Sequence, residues 1–399
     1  MTGERLGDVT VSNLNGKKIV LGITGSIAAV RCVDLARELR KHGAEVIAVM
    51  TEEAMRIIHP NAMEFATGNP VITELTGKIE HVSLLGLNGE ADMLLIAPST
   101  ANTLSKIACG IDDTPVTTMA TTAIGSGIPV SIAPAMHEGM FNHPKIKEHI
   151  RSLEMLGIQI IPPEVKEGKA KLASTNTIVC YLERIFTGKE LKGKKVLITS
   201  GPSIERIDPI RFITNRSAGI MGTELALECW RRGADVTVIQ AFEGAYPFIN
   251  YIRAEDVRTI LDTVMKELDK GYDLFISAAA ISDFTVDAAN TKIKTNRNVS
   301  ITLKEAPKVI REVRKAFDIH IIGFKAETGV NDEELIKIAK EKLQCDSLQM
   351  VVANDVLEKG MGTKDDRVVI VTERKEEWIE GEKSLIARRI LDRYAEEFL

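Results

Sequence analysis

Several clusters in this 399-residue chain combine residue types and spacings suited to small-molecule chemistry. The turn Gly22-Ile23-Thr24-Gly25-Ser26-Ile27-Ala28 pairs glycines, which let backbone approach a ligand closely, with the hydroxyls of Thr24 and Ser26. Such a turn can cradle a phosphate, although the same Gly-x-x-Gly spacing also serves a plain tight turn. A second polar turn, Ala97-Pro98-Ser99-Thr100-Ala101-Asn102, offers groups that hydrogen-bond phosphate or ribityl oxygens. A third, Ala133-Pro134-Ala135-Met136-His137, has small residues that admit a flat ring beside a polar side chain. His81 stands near an apparent strand boundary, and its imidazole is suited to accept a proton near neutral pH. A lone histidine is also a common structural residue.

Further along, Gly201-Pro202-Ser203 leads into the loop from Asp208 to Gly219, which is longer than most α/β connections. Its Arg211, Asn215 and helix-start glycine read as a binding loop. Lys292 and Lys294 flank Ile293 and project to one side of an extended segment, where two ammonium groups either neutralise phosphates or simply remain solvated.

These clusters need strand ends to position them. From Lys17, KKIVLGITGS is a short apolar run closed by a Gly-rich turn; a helical pattern through Ile27, Val30, Leu35 and Leu39 follows, then a second strand over Ala44 to Met50. The same grammar returns at Lys194 as KKVLITSGPS, and even the approaches match, Leu14-Asn15-Gly16-Lys17 beside Leu191-Lys192-Gly193-Lys194. The echo predicts two α/β domains, 1–188 and 189–399, divided within 187–193. Further strands are expected at Met93–Ala97, Ile128–Ala133, Leu274–Ala279, Ile321–Phe324 and Met350–Ala353. In open parallel sheets ligands sit beyond the carboxyl ends of strands, and most of the clusters above fall there.

Composition narrows the function classes. A net charge of -5, with Lys and Arg dispersed, lacks the footprint of a nucleic-acid binder. The polar stretch Met1 to Gly16 has no apolar core of a signal peptide and no later apolar run reaches about 18 residues, so a cytoplasmic protein without membrane spans is expected. Five widely separated cysteines form neither a disulfide framework nor a zinc pattern.

Nearly the whole chain resembles the bifunctional phosphopantothenoylcysteine decarboxylase and phosphopantothenate-cysteine ligase family. The resemblance rests on the early Gly/Ser turn, Ala97-Pro98-Ser99-Thr100-Ala101, Pro134-Ala135-Met136, Gly201-Pro202-Ser203, Asp208 through Asn215, Ser282-Asp283-Phe284, Lys292-Ile293-Lys294, Gly323-Phe324 with Glu327-Thr328, and Ala353-Asn354-Asp355. It implies two Rossmann-like three-layer α/β domains with mainly parallel sheets, the first flavodoxin-like. In the first, FMN is held by Gly25, Ser26, Thr51, Ser99, Thr100 and Asn102, His81 is the catalytic base, and Met136 and His137 contact substrate. FMN provides the electron sink that lets an otherwise unactivated carboxylate leave as carbon dioxide.

In the second, the resemblance assigns CTP to Ser277, Ala278, Ala279, Asp283, Lys292, Pro307, Lys308, Val309, Ile310, Phe324 and Lys342. Asn215 holds an acyl cytidylate for attack by cysteine, with Arg211 supporting the substrate loop and Mg²⁺ accompanying the nucleotide; no metal ligands are assigned. Phosphopantothenate, cysteine and CTP are the implied partners, and a homo-oligomer is the implied assembly. Four positions depart from the family pattern. His137 replaces an asparagine, 162–173 lacks a flap cysteine, Ile220 replaces a lysine, and Asp346 stands where a second phosphate lysine is usual. They leave open the decarboxylase proton donor, for which Lys169 and Lys171 are candidates, and the choice of CTP against ATP. A ligase with an impaired decarboxylase half and a non-catalytic nucleotide-binding protein are the alternatives. A nicotinamide oxidoreductase lacks its dinucleotide fingerprint in both first turns.

Overall fold

The computed structural model describes residues 12–294, 299–357 and 360–399, so Met1–Val11 of the polar N-terminal stretch lie outside the described residues. The chain divides into two compact units, Met1–Thr187 and Gly188–Leu399. In the first, chain order runs β1 (Lys18–Ile23), α1 (Cys32–Lys41), β2 (Glu45–Met50), α2 (Glu52–Met55), α3 (Pro60–Thr67), α4 (Glu80–Leu85), β3 (Met93–Ser99), α5 (Ala101–Ala108) and α6 (Pro115–Ser126). There follow β4 (Val130–Pro134), β5 (Met136–His137), α7 (Glu138–Phe141), α8 (Pro144–Met155), β6 (Gln159–Ile160), the hairpin β7 (Glu164–Lys166) and β8 (Lys169–Lys171), and α9 (Thr175–Phe186).

Five of these strands form a parallel sheet in the order β2-β1-β3-β4-β6. Along β1, Ile19, Leu21 and Ile23 join one buried cluster while Val20 joins another on the opposite face. A strand buried on both faces needs apolar residues at every position, which is why KIVLGI shows no polar alternation. The first cluster takes α1, α3 and α9, and the second α4, α5, α6 and α8.

One sequence expectation fails here. Residues 27–31 form a 3₁₀ turn ahead of α1, and Ile27 and Val30 are 78% and 53% exposed. With three residues per turn, positions i and i+3 eclipse, so this pair shares one outward face while Leu35 and Leu39 of α1 are buried.

The second unit contains β9 (Lys195–Thr199), the antiparallel pair β10 (Ile204–Arg206) and β11 (Phe212–Thr214), α10 (Ile220–Arg231), β12 (Asp235–Gln240), β13 (Asn250–Arg253), α11 (Val257–Leu268) and β14 (Leu274–Ser277). It continues with the antiparallel pair β15 (Phe284–Thr285) and β16 (Lys304–Glu305), α12 (Val309–Ala316), β17 (His320–Glu327), α13 (Asp332–Cys345), β18 (Met350–Asp355), β19 (Asp365–Val371), β20 (Glu376–Glu382) and α14 (Lys383–Phe398). Eight strands make one sheet, β13-β12-β9-β14-β17-β18-β19-β20; the first six run parallel and the last two join antiparallel. Helices α11, α12 and α13 cover one face, and α10 packs against α14.

The sequence echo has a physical counterpart. Asp92 accepts a hydrogen bond from Lys17 Nζ at 2.9 Å and another from the Lys18 backbone N–H at 2.8 Å. Asp273 does the same with Lys194 Nζ at 3.1 Å and the Lys195 N–H at 2.8 Å. In each unit one carboxylate thus pins the first strand to the start of its neighbour. Partial burial acts to raise both carboxyl pKa values, but the lysines and backbone donors hold them below the usual range.

Helix α10 lies unusually close to the end of β9. Its Gly222 leaves no room for a side chain, since a Cβ there would fall 2.3 Å from Ser200 Oγ and 2.5 Å from Ser200 Cβ. Gly222→Ala should therefore destabilise the second unit by about 1–3 kcal/mol through overpacking. Both tryptophans, Trp230 and Trp378, lie in this unit, so urea denaturation followed by tryptophan fluorescence reads the change.

Candidate active sites

In the first unit the strand order reverses between β1 and β3, and three loops meet at that switch point. Thr24 Oγ1 donates to the Pro98 carbonyl at 2.7 Å and accepts from the Thr100 N–H at 3.1 Å, joining the first two loops. Ser26 Oγ donates to the Ala135 carbonyl at 3.4 Å, and the Ala135 N–H bonds the Ser99 carbonyl at 2.9 Å, bringing in the third. Gly25 is required by a close approach: a Cβ would sit 2.4 Å from Glu53 Cβ on α2.

The hydroxyls expected at this site have local work as well. Thr51 and Thr100 are helix N-caps, accepting from the backbone N–H groups of Ala54 and Thr103 at 3.2 Å each. Ser26 caps the 3₁₀ turn, and Ser99 is fully buried. Asn102, in the first turn of α5, is exposed.

His81 lies one residue inside α4, not at a strand boundary as its sequence context suggests. The residue before α4, Ile79, has φ of 49°, a left-handed conformation that an isoleucine rarely adopts. The His81 Nδ1 atom is buried and has no hydrogen-bond partner among the described residues. His137 accepts the Gly139 N–H on Nδ1 at 3.3 Å, capping α7, which leaves Nε2 as the proton-bearing nitrogen of the neutral ring. Strand β5 pairs antiparallel with β8, setting Met136 opposite Ala170 and His137 opposite Lys169. Lys171 instead donates to Glu167 at 2.8 Å. Cys180 is buried within α9, away from this hairpin's sequence.

In the second unit the order reverses between β9 and β14, and a cavity of about 660 Å³ opens there. Asn215, Ser277, Ala278, Ala279, Asp283, Pro307, Lys308, Val309, Ile310, Phe324 and Lys342 all line it. Asn215 is fixed by a 2.6 Å hydrogen bond from Nδ2 to the Ala280 carbonyl. Lys308 Nζ bonds Asp283 Oδ1 at 2.6 Å, and Lys342 Nζ bonds Asp346 Oδ2 at 2.8 Å.

Two expected residues are elsewhere. Lys292 is exposed and is not part of the cavity wall. Arg211 is also outside the wall; its guanidinium binds Asp208 and donates to the Ile293 carbonyl at 2.8 Å. The buried Asp208 carboxylate accepts further bonds from the N–H groups of Ile210 at 2.8 Å, Arg211 at 2.9 Å and Ile293 at 3.2 Å. This node fastens the segment carrying Lys292 to the loop that carries Asn215.

Charged residues of the cavity wall that sequence reading missed include Arg311, Asp366 and Lys383, none of which belongs to a motif. Asp366 is buried and accepts Asn354 Nδ2 on both oxygens at 3.0 Å. Burial pushes its carboxyl pKa up against the opposing pull of Asn354 and Lys383. Lys383, 6% exposed at the start of α14, donates to the carbonyls of Thr363, at 2.8 Å, and Gly360. Burial lowers its pKa, opposed by Asp366 and Asp365. A lysine is unfavourable at a helix N-terminus, so its position there is a signal that propensity reasoning could have used.

The Arg211 guanidinium, with three backbone N–H groups, depresses the Asp208 carboxyl pKa against the desolvation that acts to raise it. A depressed carboxyl contributes stability that is complete above its unfolded pKa of about 4 and is lost as pH falls through the folded value. The stability difference between the protein and Asp208→Asn should therefore stay constant from neutral pH down to about pH 4 and shrink below it. Urea denaturation across that range checks this.

Comparison with known proteins places both sites in context. The flavoprotein family model matches residues 9–187, and the model of the DNA/pantothenate metabolism flavoprotein C-terminal domain matches residues 191–398. The coenzyme A biosynthesis bifunctional protein CoaBC of Thermococcus kodakarensis is 51% identical over 363 residues, covering 90% of this chain and 89% of the relative. Its counterpart from Methanocaldococcus jannaschii is 43% identical over 385 residues, covering 95% and 94%. With both halves matched in order and full-length relatives at this identity, the chain belongs to the bifunctional CoaBC family of coenzyme A biosynthesis, a flavoprotein decarboxylase domain followed by a phosphopantothenate-cysteine ligase domain.

Proposed function

We propose that the C-terminal cavity activates 4'-phosphopantothenate with CTP and joins it to cysteine, and that the N-terminal loops hold FMN for decarboxylation of the product to 4'-phosphopantetheine. The observation that carries the reading is the cavity at the β9/β14 switch point, whose wall contains Asn215 and every residue expected at the nucleotide except Lys292. In this reading the pantothenate carboxylate attacks the α-phosphorus and diphosphate leaves, giving an acyl cytidylate. The cysteine amine then attacks the acyl carbon and cytidine monophosphate leaves. Asn215, held by Ala280, keeps its amide oxygen for the intermediate, and Arg211 positions the loop through Asp208.

Among the described residues no group of three or more His, Cys, Asp or Glu is placed to hold a metal. That fits Mg²⁺ carried in on the nucleotide phosphates, since the ion keeps most of its water and binds through one or two protein carboxylates at most. The nearby carbonyls and small residues at Ser277–Ala279 suit a nucleoside face.

The residues at the first site fit FMN because the loops ending β1, β3 and β4 are stitched together at a switch point, where mononucleotides bind in sheets of this order. When bound, FMN supplies the electron sink for loss of carbon dioxide. Gly25, Ser26, Thr51, Ser99, Thr100 and Asn102 surround it in this reading. His81 takes the proton, with its orphaned Nδ1 as support, and His137 donates from Nε2 to the substrate carboxylate beside Met136. Lys169, opposite His137 in the ladder, returns the final proton, whereas Lys171 is engaged by Glu167. A cytoplasmic homo-oligomer belongs to the same reading.

The test is one incubation with phosphopantothenate, cysteine, Mg²⁺, FMN and either CTP or ATP, with products identified by mass spectrometry. Phosphopantetheine is expected; accumulation of phosphopantothenoylcysteine alone would assign an impaired decarboxylase, and no new product would defeat the reading. Asn215→Asp should still release diphosphate but form no amide, and normal amide formation would remove Asn215 from the mechanism. His81→Asn should bind flavin yet accumulate phosphopantothenoylcysteine; continued carbon dioxide release would place the base on another residue.

A further inference from the structure

Two cations stand where the end of a helix should repel them. The first turn of α12 carries partial positive charge from its unsatisfied N–H groups, yet Lys308 is its N-cap and Arg311 its third residue, and no side chain caps it. Neither cation is left alone. Lys308 pairs with Asp283, and Arg311 Nε bonds Asp346 Oδ1 at 3.0 Å.

Asp346 is itself oddly placed. It is the C-cap of α13, the negative end of that helix, and is only 6% exposed. Its burial acts to raise the carboxyl pKa, but Lys342 and Arg311 hold it below the usual range, so it stays ionised. One buried carboxylate therefore fixes two cations from two helices at one point of the cavity wall. The stem of Lys342 reaches that point past Gly323, where a Cβ would stand 3.6 Å from Lys342 Cε.

The cluster of Lys342, Arg311 and Asp346 keeps a net positive charge and adds to the positive end of α12. Arg311 remains largely exposed, and with Nε on Asp346 its two terminal nitrogens are free to make a forked contact with an oxyanion. A polyphosphate bound there would offset the positive charge gathered at this point of the wall.

We propose that Arg311, held beside Lys342 by Asp346, is a polyphosphate-binding residue that grips the nucleoside triphosphate beyond its first phosphate. The assignment to the outer phosphates follows from the chemistry. Cations on the departing diphosphate stabilise the charge it gains without covering the α-phosphorus that the carboxylate must reach. The proposal rests on the nucleotide reading of the cavity and adds a contact that reading did not contain.

Calorimetric titration of the full-length protein with CTP and CMP, each with Mg²⁺, with ATP and AMP in parallel, and with phosphopantothenate, tests it. Arg311→Gln should weaken triphosphate binding about ten- to a hundredfold, the range for one lost charge-assisted contact, and leave monophosphate binding unchanged. Arg311→Lys should recover part of the loss, as an ammonium restores charge without the fork. Equal weakening of tri- and monophosphate, or no weakening of either, overturns the proposal. So does a selective loss of phosphopantothenate binding, which would give the cluster to the substrate's own phosphate. A protein that forms no amide yet shows the triphosphate-selective loss in Arg311→Gln would sink the ligase reading and sustain the contact.

Discussion

A parallel sheet leaves the backbone groups beyond its carboxyl edge without strand partners, and where strand order reverses, the flanking loops part and leave a crevice. The loops after β1 and β3 meet at one such reversal, and the main cavity of the second unit opens at the other, between β9 and β14. The first is bordered by three loops tied through hydroxyl-to-backbone bonds centred on Thr24. The second stays open as a cavity whose rim is tied by Asn215 to Ala280 and by Asp208 to the 292–294 segment. The connections differ: the first unit has short polar turns after β1 and β3, whereas the second inserts the β10/β11 excursion between β9 and α10.

Much of this was legible because buried parallel strands advertise themselves. KIVLGI, MLLIAPS and LFIS are apolar at almost every position, and the turns after them carry the small and polar residues that ligand loops need. The repeated Lys-Lys approach marked equivalent edges, and each proved to be held by an aspartate about 75 to 80 residues later, a pairing no local pattern contains.

The misses have physical causes of three kinds. Ile27 and Val30 fit a helix of period 3.6 but sit in a 3₁₀ turn, where the same spacing points outward. The antiparallel pair β19 and β20 escaped notice because β20, EEWIEGE, is an acidic edge strand without the apolar run that identified its neighbours. Arg311 and Lys383 carry charges whose meaning depends on which helix end they occupy, and that becomes visible only after α12 and α14 are placed. Motif reading located the loops that meet at the two switch points. It did not locate the single side chains that adjust their field.

Lys383 gives the second unit a temporal asymmetry. Its ammonium, buried at the head of α14, holds the carbonyls of Gly360 and Thr363 at the cavity edge, and α14 follows every other element of the cavity wall in chain order. On the ribosome, where the N-terminal unit emerges first and folds as a unit, Ser12 can already meet Glu183 across its 2.6 Å bond while most of the second unit is unmade. The ligase cavity has no such head start. Its wall includes Lys383 of α14, far along the chain from the first unit, so a nascent chain can complete the flavoprotein fold before that wall exists.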